Sequence, residues 1–204
     1  MNSEVHGIGW AVKQLQNGKR VCGGCTLCCR LLPVPPLDKP GGVRCKHQRF
    51  RTGCAVYRKE GFPIECALWS CRWLVVPGLD VPRPDHAHYV IDIVPDYITV
   101  NVPGRADETV PVVQVWCDPH YPEAHRDPRL RAWLETMSRE RWCAIVRFSP
   151  QEALLLIPPL LSDTGRWEEI GGGDQMRLDE GGGHSAEDIA AKLHQAGIYP
   201  TQEG

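Results

Sequence analysis

Cys22-Gly23-Gly24-Cys25-Thr26-Leu27-Cys28-Cys29 sets three thiols at three-residue intervals, with a fourth directly after the third. Gly23 and Gly24 leave the backbone free to take the unusual angles that turn several sulfurs toward one centre. The C-x-x-C-x-x-C spacing is how ferredoxin-type loops present three corners of a four-iron cluster, the fourth thiolate arriving from elsewhere. Paired C-x-x-C units suit tetrahedral zinc as well, and spacing alone does not choose between the two. Cys28 and Cys29, being adjacent, point in different directions in an extended backbone, which favours separate roles for them. Four more cysteines follow at Cys45, Cys54, Cys66 and Cys71. One centre could take three thiols of the first group plus Cys66 or Cys71, whereas two centres could use all eight; both arrangements stay open at this level.

The residues around these thiols point to ligation rather than to disulfides. Pro33, Pro35, Pro36, Pro40, Gly41 and Gly42 separate the first cysteines from the rest, and so turn-rich a segment cannot bury enough apolar surface to order itself without bound metal. The first twenty residues lack the apolar run of a secretion signal, and no stretch approaches the ~18 apolar residues of a membrane span. The expectation is a cytoplasmic protein whose thiols stay reduced, with no membrane partner. The formal net charge is −2, yet Cys22 to Arg72 carries nine Lys/Arg against Asp38, Glu60 and Glu65. Four thiolates around zinc or around a four-iron cluster leave about −2 of charge to be accommodated. The local positive excess can supply that compensation, or it can be a solvated face.

The rest of the 204-residue chain reads as a small α+β domain. His88 to Val94, Tyr97 to Val102 and Val110 to Trp116 are β-like runs rich in Val, Ile and Tyr, most simply a meander. Asp127 and Pro128 open a helix with Leu130, Trp133, Leu134 and Met137 on one face. Cys143 to Phe148 and Ala153 to Ile157 read as two further strands. The expected organisation is an arm over 1–20, a cysteine-rich metal-binding module over 21–76 and a β-β-β-α-β-β domain over 77–160. Residues 161–204 follow as a glycine-rich linker with a short helix from Ser185. The fold class is thus α+β, an irregular cysteine-rich module packed on a small mixed sheet with one main helix. Trp69 and Trp73 are expected to pack the module onto the sheet, with Trp116, Trp133 and Trp142 in the core.

Cys22-x-x-Cys25-x-x-Cys28-Cys29, then Cys54-x-x-Tyr57, Pro63-x-x-Cys66 and Cys71, resembles the YkgJ-type cysteine-cluster family over about residues 20–76. That family is bacterial and described as zinc- or iron-chelating, and the same module occurs in flagellin lysine N-methylases. The resemblance implies metal chelation and no particular reaction. Phe62 and Ala67 stand where the family often has arginine. Cys45-Lys46-His47-Gln48 replaces a C-P-H-C pair, which leaves open whether Cys45 ligates and whether His47 stands in for a lost thiol.

The function expected from all this is metal binding through Cys22, Cys25, Cys28, Cys29, Cys45, Cys54, Cys66 and Cys71. The spacing favours an iron-sulfur cluster of the 4Fe-4S kind over Zn2+, in a structural, redox or accessory role with a protein partner. The alternative is a metal- or cluster-dependent enzyme acting on a protein or small substrate. Weaker is a zinc-module nucleic-acid binder, because the overall charge does not favour nucleic acid. Cys117 and Cys143, each at the edge of an apolar run, read as buried free thiols. His86, His88, His120 and His125 read as ordinary loop histidines. No catalytic set of nucleophile, base and orienting group can be named.

Overall fold

The computed structural model describes residues 20–57, 59–63, 65–66, 69, 71–76, 78–92, 96–100, 108–149, 151–157, 159 and 164–172. The expected arm before Arg20 and the expected helix from Ser185 lie outside them. The elements in chain order are helix α1 (Leu27–Leu31), the short strands β1 (Gln48–Arg49) and β2 (Gly53–Cys54), and helices α2 (Arg72–Val75) and α3 (Pro84–Ala87). Strands β3 (Tyr89–Ile91), β4 (Asp96–Val100) and β5 (Glu108–Cys117), helix α4 (Pro128–Ser138), and strands β6 (Cys143–Arg147), β7 (Ala153–Ile157) and β8 (Glu168–Gly172) complete the fold. This is the α+β architecture the sequence implied. Among the described residues no helix is long and apolar enough to cross a membrane.

Two differences from the sequence reading concern strand pairing. Strands β3 and β4 do not form a meander with β5: both pair antiparallel with it, β3 at Val115 to Cys117 and β4 at Glu108 to Val112. The register shifts by two residues between them, so they form one interrupted strand along a single edge of the ten-residue β5. The other edge of β5 pairs parallel with β6 after the crossover through α4, and β7 and β8 continue antiparallel. Gly171 and Gly172, read as linker, therefore belong to a sixth strand of the sheet. Backbone pairing to β7 forms it, and Glu169 pins it by accepting from Arg126 at 2.8 Å and Arg131 at 2.7 Å.

Helix α4 has the expected ends and buried face. The Asp127 carboxylate accepts from the Arg129 amide at 2.8 Å as N-cap, with Pro128 in the first turn, where no amide is needed. Leu130, Leu134 and Met137 are buried against Ile91, Val113, Val115, Cys117, Ala144, Val146 and Leu156, with Trp133 and Trp142 packed at the margin.

Alternation along the strands sends Val90 and Trp116 to the opposite face, where they meet Cys25, Leu27, Leu31, Cys71, Leu74 and Val75 of the cysteine-rich segment. Trp73 contacts both clusters and Trp69 the second, so these two side chains do join the halves. The sheet is thus covered by α4 on one face and, at its β3 end, by the cysteine segment on the other. Trp116, expected in the core, belongs to the second contact.

Candidate metal centre

Each cysteine is placed by backbone that the neighbouring sequence dictates. Cys22 and Cys25 sit in a turn closed by the Cys25 amide donating to the Cys22 carbonyl at 3.0 Å, with Gly23 at φ +50°. Cys28 and Cys29 are consecutive on α1, hence about 100° apart around its axis. Cys45 lies in a turn where its carbonyl accepts from Gln48, and its sulfur from the His47 amide at 3.4 Å. Cys54 is on β2, Cys66 in a helical turn closed by Trp69 donating to Glu65, and Cys71 caps α2 while bridging Asp92.

Long-range polar contacts hold these pieces together. The Arg20 guanidinium donates to the carbonyls of Trp73, Val76 and Leu79, fixing the chain just before Cys22. Arg30, next to Cys29, pairs with buried Asp118 at the end of β5, and Asp118 also accepts from His120 at 3.0 Å. Trp69 Nε1 donates to Asp92 at 2.7 Å, and the buried Arg72 donates to the Asp92 carbonyl at 3.3 Å. The β1–β2 hairpin lies directly on the first loop. A Cβ on Gly24 would stand 2.6 Å from the Arg51 carbonyl oxygen, and one on Gly53 2.4 Å from that of Gly23.

All eight cysteines between Cys22 and Cys71 line one cavity of about 600 Å³. Its floor is the sheet, through Asp92, Gln114 and Trp116, and its walls include Leu32, Val34, Phe62, Glu65 and Trp69. Cys45 is in this wall, and so is His47. Cys117 and Cys143 lie in the sheet's apolar clusters, buried and free as expected. His88 stacks on Tyr121 with ring centroids 3.6 Å apart, and buried His125 places Nδ1 2.6 Å from the Pro122 carbonyl.

The thiols divide into two neighbourhoods. Cys25, Cys28 and Cys71 share an apolar cluster, and Cys22 interacts with each of them. Cys54 and Cys66 each interact with Cys29 and Cys45 and with one another, and Cys29 also reaches Cys22. Cys28 marks the junction, its thiol lying beside those of both Cys22 and Cys29. The neighbouring Cys28 thiol draws Cys22 down and Cys29 to about 7, whereas burial pushes Cys25 up to about 11 and Cys66 up to about 12. Burial raises Cys71 and Cys54 too, and neighbouring thiols add to it. So many sulfurs in an apolar chamber cannot ionise together without positive charge between them.

Lys39 supplies one such charge. Its buried ammonium is held by the carbonyls of Arg30 (3.2 Å), Leu32 and Pro40 (3.1 Å), close to Cys29, Cys45 and Cys66. Two further buried polar atoms of the cavity wall, Trp116 Nε1 and Glu65 Oε2, have no hydrogen-bond partner among the described residues. A buried indole N–H without a partner, on a residue that lines a chamber of sulfurs, suits a guest that accepts hydrogen bonds, as the sulfides and thiolates of a cluster do. Among the described residues no three His, Cys, Asp or Glu side chains come together as a single-ion site.

The residues that sequence reasoning missed are Lys39, Glu65, Asp92, Gln114 and Trp116. Gln114 carried a signal, being a polar residue inside the run Val112-Val113-Gln114-Val115 of a buried strand. Lys39 carried none, since a lysine among prolines reads as surface. No family model, curated protein or solved structure matches this chain.

Proposed function

We propose that this protein is a metal-binding protein in which the eight cysteines hold two sulfur-ligated centres, iron-sulfur clusters in preference to zinc. Cys22, Cys25, Cys28 and Cys71 would hold one, and Cys29, Cys45, Cys54 and Cys66 the other. The observation that carries the reading is the single cavity lined by all eight thiols in two neighbourhoods of four. Its volume of about 600 Å³ supports clusters over single ions, because a zinc-thiolate site closes to a packed interior with no chamber inside it. The buried Trp116 N–H and the Lys39 ammonium support it again, as donor and counter-charge for an anionic guest. The spacing of the cysteines from Cys22 to Cys71 agrees with chelation.

The clusters would supply one-electron redox chemistry or structural cross-links. The chain's own residues orient the thiols, exclude water through Trp69, Trp116 and Phe62, and balance charge through Lys39.

A second reading, an enzyme whose centre acts on a substrate, is favoured by one feature: the cavity joins the thiols to Asp92 and Gln114 of the sheet. Asp92 accepts from Trp69 and Gln114 from Arg147 at 2.9 Å, so both belong to the scaffold, and the accessory role is preferred.

Anaerobic purification followed by absorption spectroscopy, with iron, zinc and acid-labile sulfide measured per chain, tests the proposal. A brown protein with about eight iron and eight sulfide per chain is expected for two four-iron clusters. A colourless protein with about two zinc keeps the two centres and replaces the clusters. Protein that takes up neither metal refutes the reading.

A further inference from the structure

The tip of the β1–β2 hairpin, Arg49-Phe50-Arg51, serves neither the core nor the cavity wall. Phe50 is 75% exposed, with the Arg51 guanidinium 5.0 Å from its ring centroid. Arg51 holds φ +58°, a left-handed conformation that is strained for a non-glycine residue. The tip is held in place, since the Arg51 carbonyl packs on Gly24 and the Thr52 amide donates to the Arg49 carbonyl at 3.2 Å. A strained loop that holds an aromatic ring in water gains nothing for folding. Its position is over the loop that carries Cys22 and Cys25, and its neighbours His47, Thr52 and Gly53 line the cavity.

The surroundings share one chemistry. Arg44, Lys46, Arg49, Arg51 and Lys59 are exposed, against Glu60 as the exposed acid of that stretch. Val43 (49%), Tyr57 (39%) and Val21 (71%) are exposed as well, and Val21 and Tyr57 reach the cavity rim. An aromatic anchor flanked by arginines, with aliphatic side chains between cations, is the composition of a protein-binding hot spot. Phosphate backbones would use the cations and leave Val21 and Val43 idle.

We propose that the Arg49-Phe50-Arg51 tip and the cations beside it form a docking surface for the acidic face of a protein partner, seated at the rim of the cysteine cavity. The partner's carboxylates complement the cations while an apolar side chain packs on Phe50. Docking there brings a partner to the rim of the thiol chamber. The inference deepens the metal-centre reading by naming its partner's chemistry, and binding is read separately from metal.

The test uses the full chain as purified, with metal content recorded. The probes are a short fluorescein-labelled peptide alternating Asp or Glu with Leu, its Asn/Gln counterpart, single-stranded RNA of equal charge, and phosphatidylserine-containing vesicles. The acidic peptide should bind by anisotropy, weaken as salt rises, and bind at least tenfold more tightly than its neutral counterpart. Phe50→Ser should weaken it about fivefold or more, as hot-spot truncation does. Arg49→Glu with Arg51→Glu should abolish it, with metal content and melting temperature kept because these side chains are exposed. Tighter binding of RNA or vesicles than of the peptide overturns the assignment to a protein. Absence of peptide binding, or binding indifferent to both variants, overturns the surface itself, whatever the metal analysis gives.

Discussion

Gly53→Ala probes the contact on which the geometry of the cavity depends. Gly53 has φ +99°, and a methyl group there would stand 2.4 Å from the Gly23 carbonyl oxygen, between Cys22 and Cys25 in the chain. Two costs add. Forcing an L-residue into left-handed backbone costs about 1–2 kcal/mol. Opening a backbone contact by about 1 Å in a packed region costs about 1–3 kcal/mol more. A loss of about 3 kcal/mol lowers the melting temperature of a chain this size by about 6–12 °C. Because Gly53 adjoins Cys54 and Gly23 adjoins Cys22, the displacement also pulls thiols of both neighbourhoods apart. Metal content should fall with stability.

Gly42→Ala separates the two costs. Gly42 has φ +76° with nothing within 4 Å of its Cβ position, so it carries the conformational cost alone. The assay is thermal melting by circular dichroism on metal-loaded protein, with metal per chain measured before heating. Gly53→Ala should melt at least about 2 °C below Gly42→Ala and hold less metal. Equal melting and full metal in both would refute the packing of the hairpin on the first cysteine loop, and with it the single chamber.

Three further outcomes follow from the same geometry. Cys71→Ser and Cys54→Ser should each lose about half the metal, since each thiol belongs to a different neighbourhood of four; a double variant that loses no more than either alone would mean one centre. Lys39→Met leaves three carbonyls without their donor at about 1–3 kcal/mol each at most. It also removes a positive charge beside Cys29, Cys45 and Cys66, so the midpoint of reductive bleaching should move to more negative potential. An unchanged midpoint would make Lys39 a loop staple only. Finally, Arg126, with Arg131 and His125, holds the Glu169 carboxyl down at about 2. Because this folded value lies below the unfolded one, the stabilisation is complete above about pH 4.3 and is lost as pH falls toward 2. Glu169→Gln should flatten the acid limb of a melting-temperature profile, and an unaltered profile would remove the role given to this ion-pair cluster in holding β8.

What was legible in the sequence was what short-range chemistry determines. Asp127-Pro128 and the Leu130, Leu134, Met137 stripe specify α4 without help from any other element, and Cys143 to Arg147 and Ala153 to Ile157 are apolar enough to be strands anywhere. Pairing is different. Nothing between Tyr89 and Val100 records that two strands share one edge of β5, because that depends on the length of β5 and on a two-residue register shift. Strand β8 was hidden for a related reason: with Ile170 its lone large apolar residue, its order comes from β7 and from Arg126 and Arg131.

The candidate site divides along the same line. Thiols stand out by residue type, so the eight that line the cavity were legible as candidates, but Glu65 and Trp116 acquire meaning only when the fold carries them to the chamber, and Lys39 when it comes beside Cys29, Cys45 and Cys66. Strand β5 shows how the two levels meet. Val113, Val115 and Cys117 face α4, as the period of two demands, while Val112, Gln114 and Trp116 face the other way. A sheet packed on both faces by ordinary apolar layers would carry an aliphatic residue at 114. Gln114 is tolerated because that face is the floor of a sulfur-lined chamber, where its amide meets Arg147 and Trp116 offers an N–H. The polar break in the otherwise apolar run Val110 to Cys117 is therefore a place where the second half of the sequence already records the site assembled by the first.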